Sequence, residues 1–205
     1  MKDHPAAMTL WQRQRINALR GAGLLLLPAI LWTRTAWTSP WAIDLMEAAG
    51  VLFIFAGVIG RLWSILYIGG RKSSEVLQDG PYSICRHPLY LFSSIASAGF
   101  GLMLGSLLMA AVIGGVVFTI LYLTAWDEEA HLRGTFGDQY QTYAEHTPRV
   151  LPDLSRFRTA PVITVNIATL HRNFRDNLIF LALIPVAYGA RWLDSTGALA
   201  TFPIY

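Results

Sequence analysis

A chain of 205 residues with 54% hydrophobic and only 14% charged side chains, and a mean hydropathy of +0.42, is too apolar for an ordinary soluble domain and reads as an integral membrane protein. Its 16 basic residues outnumber 13 acidic ones, but they are spread between apolar runs, which argues against a nucleic-acid partner and for membrane topology. The single cysteine, Cys85, excludes an internal disulfide and a multi-cysteine metal site.

A helix needs roughly 20 mostly apolar residues to cross a hydrocarbon core of about 30 Å. On that criterion five transmembrane helices are predicted, over residues 18–37, 42–68, 89–105, 106–126 and 178–193. The expected fold class is therefore an all-α integral membrane protein, a single membrane domain over 1–205. The first run, GAGLLLLPAILW, follows a basic start, but no small-residue cleavage site comes after it, so it is read as a retained span. In the second, Arg61 is the one charge well inside a span. It either snorkels to the near surface or faces the interior, where it would hold a lipid phosphate or carboxylate. Arg34, Asp44 and Glu47 fall towards the opposite face and are expected to pair with one another.

The stretch GPYSICRHPLYL follows, with Arg86, His87 and Pro88 at the mouth of the third span. Proline fits a first helical turn, so Pro88 is expected to begin that helix. Taken alone, the tripeptide suits a basic interfacial anchor as well as a ligand site. Only Gly105 and Ser106 separate the third and fourth spans, which predicts a tight antiparallel hairpin. The fourth span runs down to Asp127, Glu128 and Glu129, and the hairpin brings this triplet back beside Arg86 and His87. Carboxylates at such a depth either pair with Arg86 or Arg133 or bind something.

Most Lys and Arg outside the spans fall before span one, between spans two and three, or between spans four and five. These loops share one side, so the positive-inside rule puts the N-terminus in the cytoplasm and the C-terminus opposite. The absence of a targeting segment and the short loops lean towards a bacterial cytoplasmic membrane. Trp32, Trp37, Trp41, Trp126 and Trp192 fall near span ends and are expected to be interfacial anchors. Residues 155–177 mix basic and aliphatic side chains and are expected to lie on the membrane surface, as a lid over the cytoplasmic opening or as a plain connector. His87 has no His or Cys neighbour at ligand spacing, and neither a P-loop nor a strand-linked GxGxxG is present, so neither a metal nor a soluble nucleotide fold is expected.

The ordered set GPYSICRHPLYL, the hairpin, DEEAHL and FGDQYQTYAEHTPRVLP resembles the catalytic half of the isoprenylcysteine carboxyl methyltransferases and their phospholipid methyltransferase relatives, over residues 74–152. On that basis residues 1–73 form the N-terminal spans and 153–205 the interfacial segment with the last span. The resemblance implies an S-adenosylmethionine-dependent membrane methyltransferase acting on a membrane lipid or lipidated acceptor. It implies that Ser74, Glu75, Val76, Leu77, Tyr82, His87, Pro88, Leu89, Tyr90 and Glu128 line the cofactor. Arg86, Glu128 and Glu129 are the catalytic candidates. Family members acting on prenylated cysteine carry an arginine shortly before the acidic group, where this chain has Thr124. Thr124 and Arg61 are therefore the candidate acceptor residues, and the acceptor's reacting group is left as carboxylate, phosphate or amine. Two other functions fit a helical scaffold of this kind: a membrane reductase using a nicotinamide cofactor, and a non-catalytic carrier or membrane partner.

Overall fold

A computed structural model of the chain describes residues 10–68, 75–165, 167–197 and 200–205. Helix α1 spans Leu10–Trp32 and runs into a short strand, β1, at Thr33–Thr35. Helix α2 follows over Pro40–Ile68, then a single turn, α3, over Pro81–Ile84. Helices α4, Pro88–Met103, and α5, Leu107–Phe136, come next. The short α6, Asp138–His146, and a 3-10 turn at Leu154–Arg156 lead to α7, Ile167–Ser195, and strand β2, Phe202–Ile204. The protein is thus mostly helical. Three of its helices are long and apolar enough to cross a membrane: α2, α5 and the Asn173–Ser195 part of α7. Large apolar side chains such as Leu25, Leu52, Ile59, Leu123 and Ile179 remain exposed on these helices and on α1, as a bilayer-facing surface requires.

Helix α4 is shorter but apolar, and it lies at the centre, packed against both α2 and α5. Small residues make the first contact possible. A Cβ at Gly50 would stand 2.6 Å from the Gly99 carbonyl oxygen, and one at Gly57 would stand 2.6 Å from the Ala96 Cβ. Only glycine lets the two backbones approach this closely. Pro88 occupies the first turn of α4 with His87 as its N-cap, and Gly105, at φ 75°, turns the chain towards α5. Ser106 then caps α5 by accepting a hydrogen bond from the Met109 amide at 3.1 Å. The inner apolar cluster joins Ile54 and Val58 of α2, Phe100 and Met103 of α4, Met109 and Ile113 of α5, and Ala187 of α7.

Three helices differ from their sequence-based limits, α5 by running ten residues past the expected end at Trp126, to Phe136. Helix α1 begins at Leu10 and ends at Trp32, because the polar stretch before the apolar run continues the helix, while β-branched Thr33 and Thr35 enter a strand. Strand β1 pairs in parallel with β2, a small sheet that periodicity over three residues does not reveal. Helix α7 begins at Ile167, so much of the expected interfacial segment is already helix. The extended part before it is tied down: Gly80 donates its amide to the Arg158 carbonyl at 2.8 Å, and Tyr67 and Thr159 share a hydroxyl hydrogen bond at 2.8 Å.

At the end of the bundle holding β1 and β2, Glu47 of α2 pairs with Arg191 of α7. The expected partnership of Glu47 with Arg34 is thereby replaced, because Arg34 is carried away on β1 while α7 packs beside α2. Of the tryptophans, Trp32, Trp41, Trp126 and Trp192 are exposed, whereas Trp37 packs edge-on against Tyr205 at 5.5 Å.

Candidate active site

The polar centre of the molecule lies where α5 passes the start of α4. Successive residues of a helix point roughly 100° apart, so Glu128 and Glu129 face different surroundings. Glu129 is fully buried. Arg149 grips it with two hydrogen bonds, Nε to Oε1 at 2.9 Å and Nη2 to Oε2 at 3.0 Å. His87 Nε2 lies 3.2 Å from Oε1, and Arg86 Nη1 and Arg133 Nη2 lie 3.4 and 3.3 Å from Oε2. Three arginines and a histidine thus converge on one carboxylate.

Arg149 reaches Glu129 because residues 148–153 run beside the α3–α4 link. The Arg86 amide donates to the Pro148 carbonyl at 2.9 Å, the His87 amide to the Arg149 carbonyl at 3.0 Å, and the Asp153 amide to the Ile84 carbonyl at 2.9 Å. The Arg149 guanidinium also lies 4.3 Å from the ring centre of Trp126, a cation–π contact. Hydrogen bonding to Glu129 is the first cause that raises its pKa, so it stays charged.

Glu128 faces the other way, into a cavity of about 1040 Å³ between α1, α2, α4, α5 and α7. Tyr90 donates its hydroxyl to Glu128 Oε2 at 2.7 Å, and Arg15 Nη1 of α1 donates to that hydroxyl oxygen at 3.0 Å. The rings of His87 and Tyr90 stack 5.2 Å apart and within 5° of parallel. His87 Nδ1 lies 3.8 Å from Glu128 Oε2, so the imidazole stands between the two carboxylates.

Tyr82 and Tyr140 also line the cavity, and their buried hydroxyls make no hydrogen bond among the described residues. Unpartnered polar atoms of this kind are rare in interiors and point to a ligand. Burial, reinforced by the Glu128 charge, pushes the Tyr82 hydroxyl well above its ordinary pKa of 10.0, so it remains a neutral O–H donor. Tyr143 fixes the α3 turn by donating its hydroxyl to the Tyr82 carbonyl at 2.7 Å. Cys85 is buried and its thiol is pushed up to about 12 by desolvation, which removes it as a nucleophile at ordinary pH.

Of the residues singled out in the sequence, Glu75, Val76, Leu77, Tyr82, Arg86, His87, Pro88, Leu89, Tyr90, Glu128 and Arg61 all line this cavity. Ser74 lies outside the described residues. Glu129 stands behind the lining, and Thr124 turns its hydroxyl back to the Ile120 carbonyl of its own helix at 2.8 Å. Unforeseen contributors are Arg15, Ser93, Asp176 and Asn177. Arg15 lies only a few residues ahead of the first apolar run, and Asp176 and Asn177 just before the last. Polar residues abutting a span were the available signal.

The model of the phospholipid methyltransferase family matches residues 45–139, from α2 into α6. Over nearly the whole chain there are also relatives at about a third identity. The chain belongs to the phospholipid methyltransferase family. The chain is 33% identical over 189 residues to the nickel-cobalt-cadmium resistance protein NccN of Alcaligenes xylosoxydans xylosoxydans, covering 89% of this chain and 88% of that protein. It is 31% identical over 202 residues to the cobalt-zinc-cadmium resistance protein CzcN of Cupriavidus metallidurans, covering 96% and 93%. A shorter match, 29% over 94 residues, covers 45% of this chain and 40% of protein-S-isoprenylcysteine O-methyltransferase of Schizosaccharomyces pombe. No solved structure matches significantly.

Proposed function

We propose that this family member transfers a methyl group from S-adenosylmethionine to a lipid or isoprenoid-type acceptor embedded in the membrane. In this reading all five long helices cross or enter a bacterial cytoplasmic membrane, the Arg86 end faces the cytoplasm, and residues 74–152 form the catalytic region. The observation that carries the reading is the cavity where Tyr82, His87, Tyr90 and Glu128 converge, with the buried Tyr82 and Tyr140 hydroxyls lacking partners.

The donor set fits the cofactor. Glu128 offers a carboxylate to an ammonium group or ribose hydroxyls, Tyr82 and Tyr140 offer O–H donors, and the stacked His87–Tyr90 pair offers aromatic surface to an adenine or a cation. S-adenosylmethionine supplies an activated methyl group. The chain's own task is alignment: Glu75, Val76, Leu77, Pro88 and Leu89 shape the cofactor end, and the helices exclude water from the acceptor end. Arg86 and Glu129 act as positioning residues, because Glu129 holds the Arg86 and His87 side chains that line the cavity.

Two relatives are named for resistance to metals. Among the described residues no group of three or more His, Cys, Asp and Glu side chains could hold a metal ion. We read any resistance role of this chain as the consequence of a modified membrane component.

Calorimetric titration of the purified protein with S-adenosylmethionine tests the reading. Saturable binding is expected, with Glu128→Gln and His87→Ala each weakening it about tenfold or more, as the loss of a charge-assisted hydrogen bond implies. Failure of the wild-type protein both to bind the cofactor and to label any membrane component with its methyl group would overturn it.

A further inference from the structure

Arg61 is the most unusual charge in the cavity. It stands in the last third of α2, seven residues before the end of that helix at Ile68, yet it faces the bundle interior. Its Nε donates to Asn177 Oδ1 of α7 at 2.5 Å, its Nη1 donates to Ser93 Oγ of α4, and its guanidinium carbon lies 4.9 Å from the ring centre of Phe180. A guanidinium has five N–H donors, and these two bonds leave Nη2 without one. No carboxylate lies within ion-pair distance among the described residues. The acidic residues lining the cavity are Glu75, Glu128 and Asp176, facing Arg15, Arg20, Arg61, Arg86 and Arg175. Arg86 is already engaged by Glu129.

The position is as telling as the charge. Ser93, which holds Arg61, follows Tyr90, which holds Glu128, by three residues on α4, a rise of about 4.5 Å. Beyond Arg61 the cavity wall turns apolar, with Val117, Ile179, Phe180 and Leu183. Moving from the start of α4 inward, a ligand would meet the Glu128 group, then Arg61, then hydrocarbon. A buried cation whose hydrogen-bond partners are neutral, with only the more distant Asp176 to offset its charge, is costly in a membrane until an anion joins it.

We propose that the acceptor is an amphiphile with a single anionic head, a carboxylate or phosphate, that binds Arg61 and lays its apolar part against α5 and α7. Arg61 is then a specificity residue, with Asn177 and Ser93 positioning it. This rests on the methyltransferase reading above and names its substrate class. An oxygen of the anion supplies the electron pair of the new C–O bond, while the C–S bond of the sulfonium donor breaks and leaves its pair on sulfur. The acceptor is already deprotonated, so no proton is released and no base is needed.

Native mass spectrometry of the full-length protein, titrated separately with oleate, oleyl phosphate, oleylamine and oleyl alcohol, tests the proposal. Oleate, oleyl phosphate or both should be retained at least about tenfold better than the amine and the alcohol, and the preferred anion identifies the head group. Arg61→Gln should abolish that preference and Arg61→Lys should keep part of it, with S-adenosylmethionine binding unchanged in both. Equal retention of oleylamine or oleyl alcohol by the wild-type protein overturns the proposal without recourse to a variant, as does an undiminished anion preference in folded Arg61→Gln. Calorimetry with S-adenosylmethionine on the same preparations separates the two readings: cofactor binding without anion preference removes the acceptor class alone, whereas no cofactor binding removes the methyltransferase reading.

Discussion

Glu128 and Glu129 are chemically identical neighbours with opposite situations, one bordering the cavity and the other encased by Arg86, His87, Arg133 and Arg149. Removing the encased carboxylate strands the partly buried Arg86 and Arg149, so Glu129→Ala should cost about 3 kcal/mol, seen as a large fall in the thermal midpoint in detergent. Glu128→Gln should cost about 1 kcal/mol, the scale of a single altered hydrogen bond, and should reveal itself in cofactor affinity instead. Tyr82→Phe removes an O–H that stays protonated through the neutral range, so it should weaken S-adenosylmethionine binding about threefold to tenfold with no change between pH 6 and 9. The acidic triplet and its return to Arg86 were legible in the sequence. The resemblance pointed to Glu128 as the glutamate facing the cavity, but the grip on Glu129 was not legible, because it depends on Arg149, which arrives on the segment after α6.

At the level of elements, the seam between α2 and α4 rests on small residues. Gly57→Val should destabilise by about 1–3 kcal/mol through overpacking, since a Cβ there already meets Ala96 and the Phe92 carbonyl at 2.6 Å. The control is Gly115→Val in α5, where nothing lies within 4 Å of the added Cβ. Comparing the thermal midpoints of the two variants checks this. The start of α4 at Pro88 and the turn at Gly105 and Ser106 could be read directly, because proline and glycine restrict the backbone locally. The first turns of α1 and α7 could not. A hydropathy criterion registers only the apolar part of a helix, while the polar turns of α7 that carry Asn173 and Asp176 to the cavity belong to the same rod.

For the whole molecule, polar chemistry separates into two ends. One end holds the cavity and the Glu129 cluster. The other holds the Glu47–Arg191 pair and the last residues, where the Ser106 hydroxyl and the Leu108 amide both donate to the Tyr205 carbonyl, at 2.7 and 2.9 Å. Deleting residues 202–205 should therefore lower the thermal midpoint by about 5 °C, or ~2 kcal/mol at the scaling for a chain of this size. S-adenosylmethionine affinity, read by calorimetry, should stay within about twofold of wild type, below the tenfold that one charged contact is worth. The far end escaped sequence reading because the pairing of β1 with β2 joins residues at opposite ends of the described chain.

That small sheet also determines how the molecule is wired. By fastening Thr33–Thr35 to Phe202–Ile204, it closes the elements from α2 to α7 into one circuit and leaves α1 outside, held instead by its packing against α5 and α7 and by the Arg15–Tyr90 hydrogen bond. Helix α1 nevertheless supplies one wall of the cavity, through Arg15, Ile16, Leu19, Arg20 and Gly23, and carries outward-facing Leu24 and Leu25, 71% and 82% exposed. Displacing a wall inside the circuit strains the whole ring, whereas displacing α1 costs its own contacts alone, the Arg15–Tyr90 hydrogen bond among them.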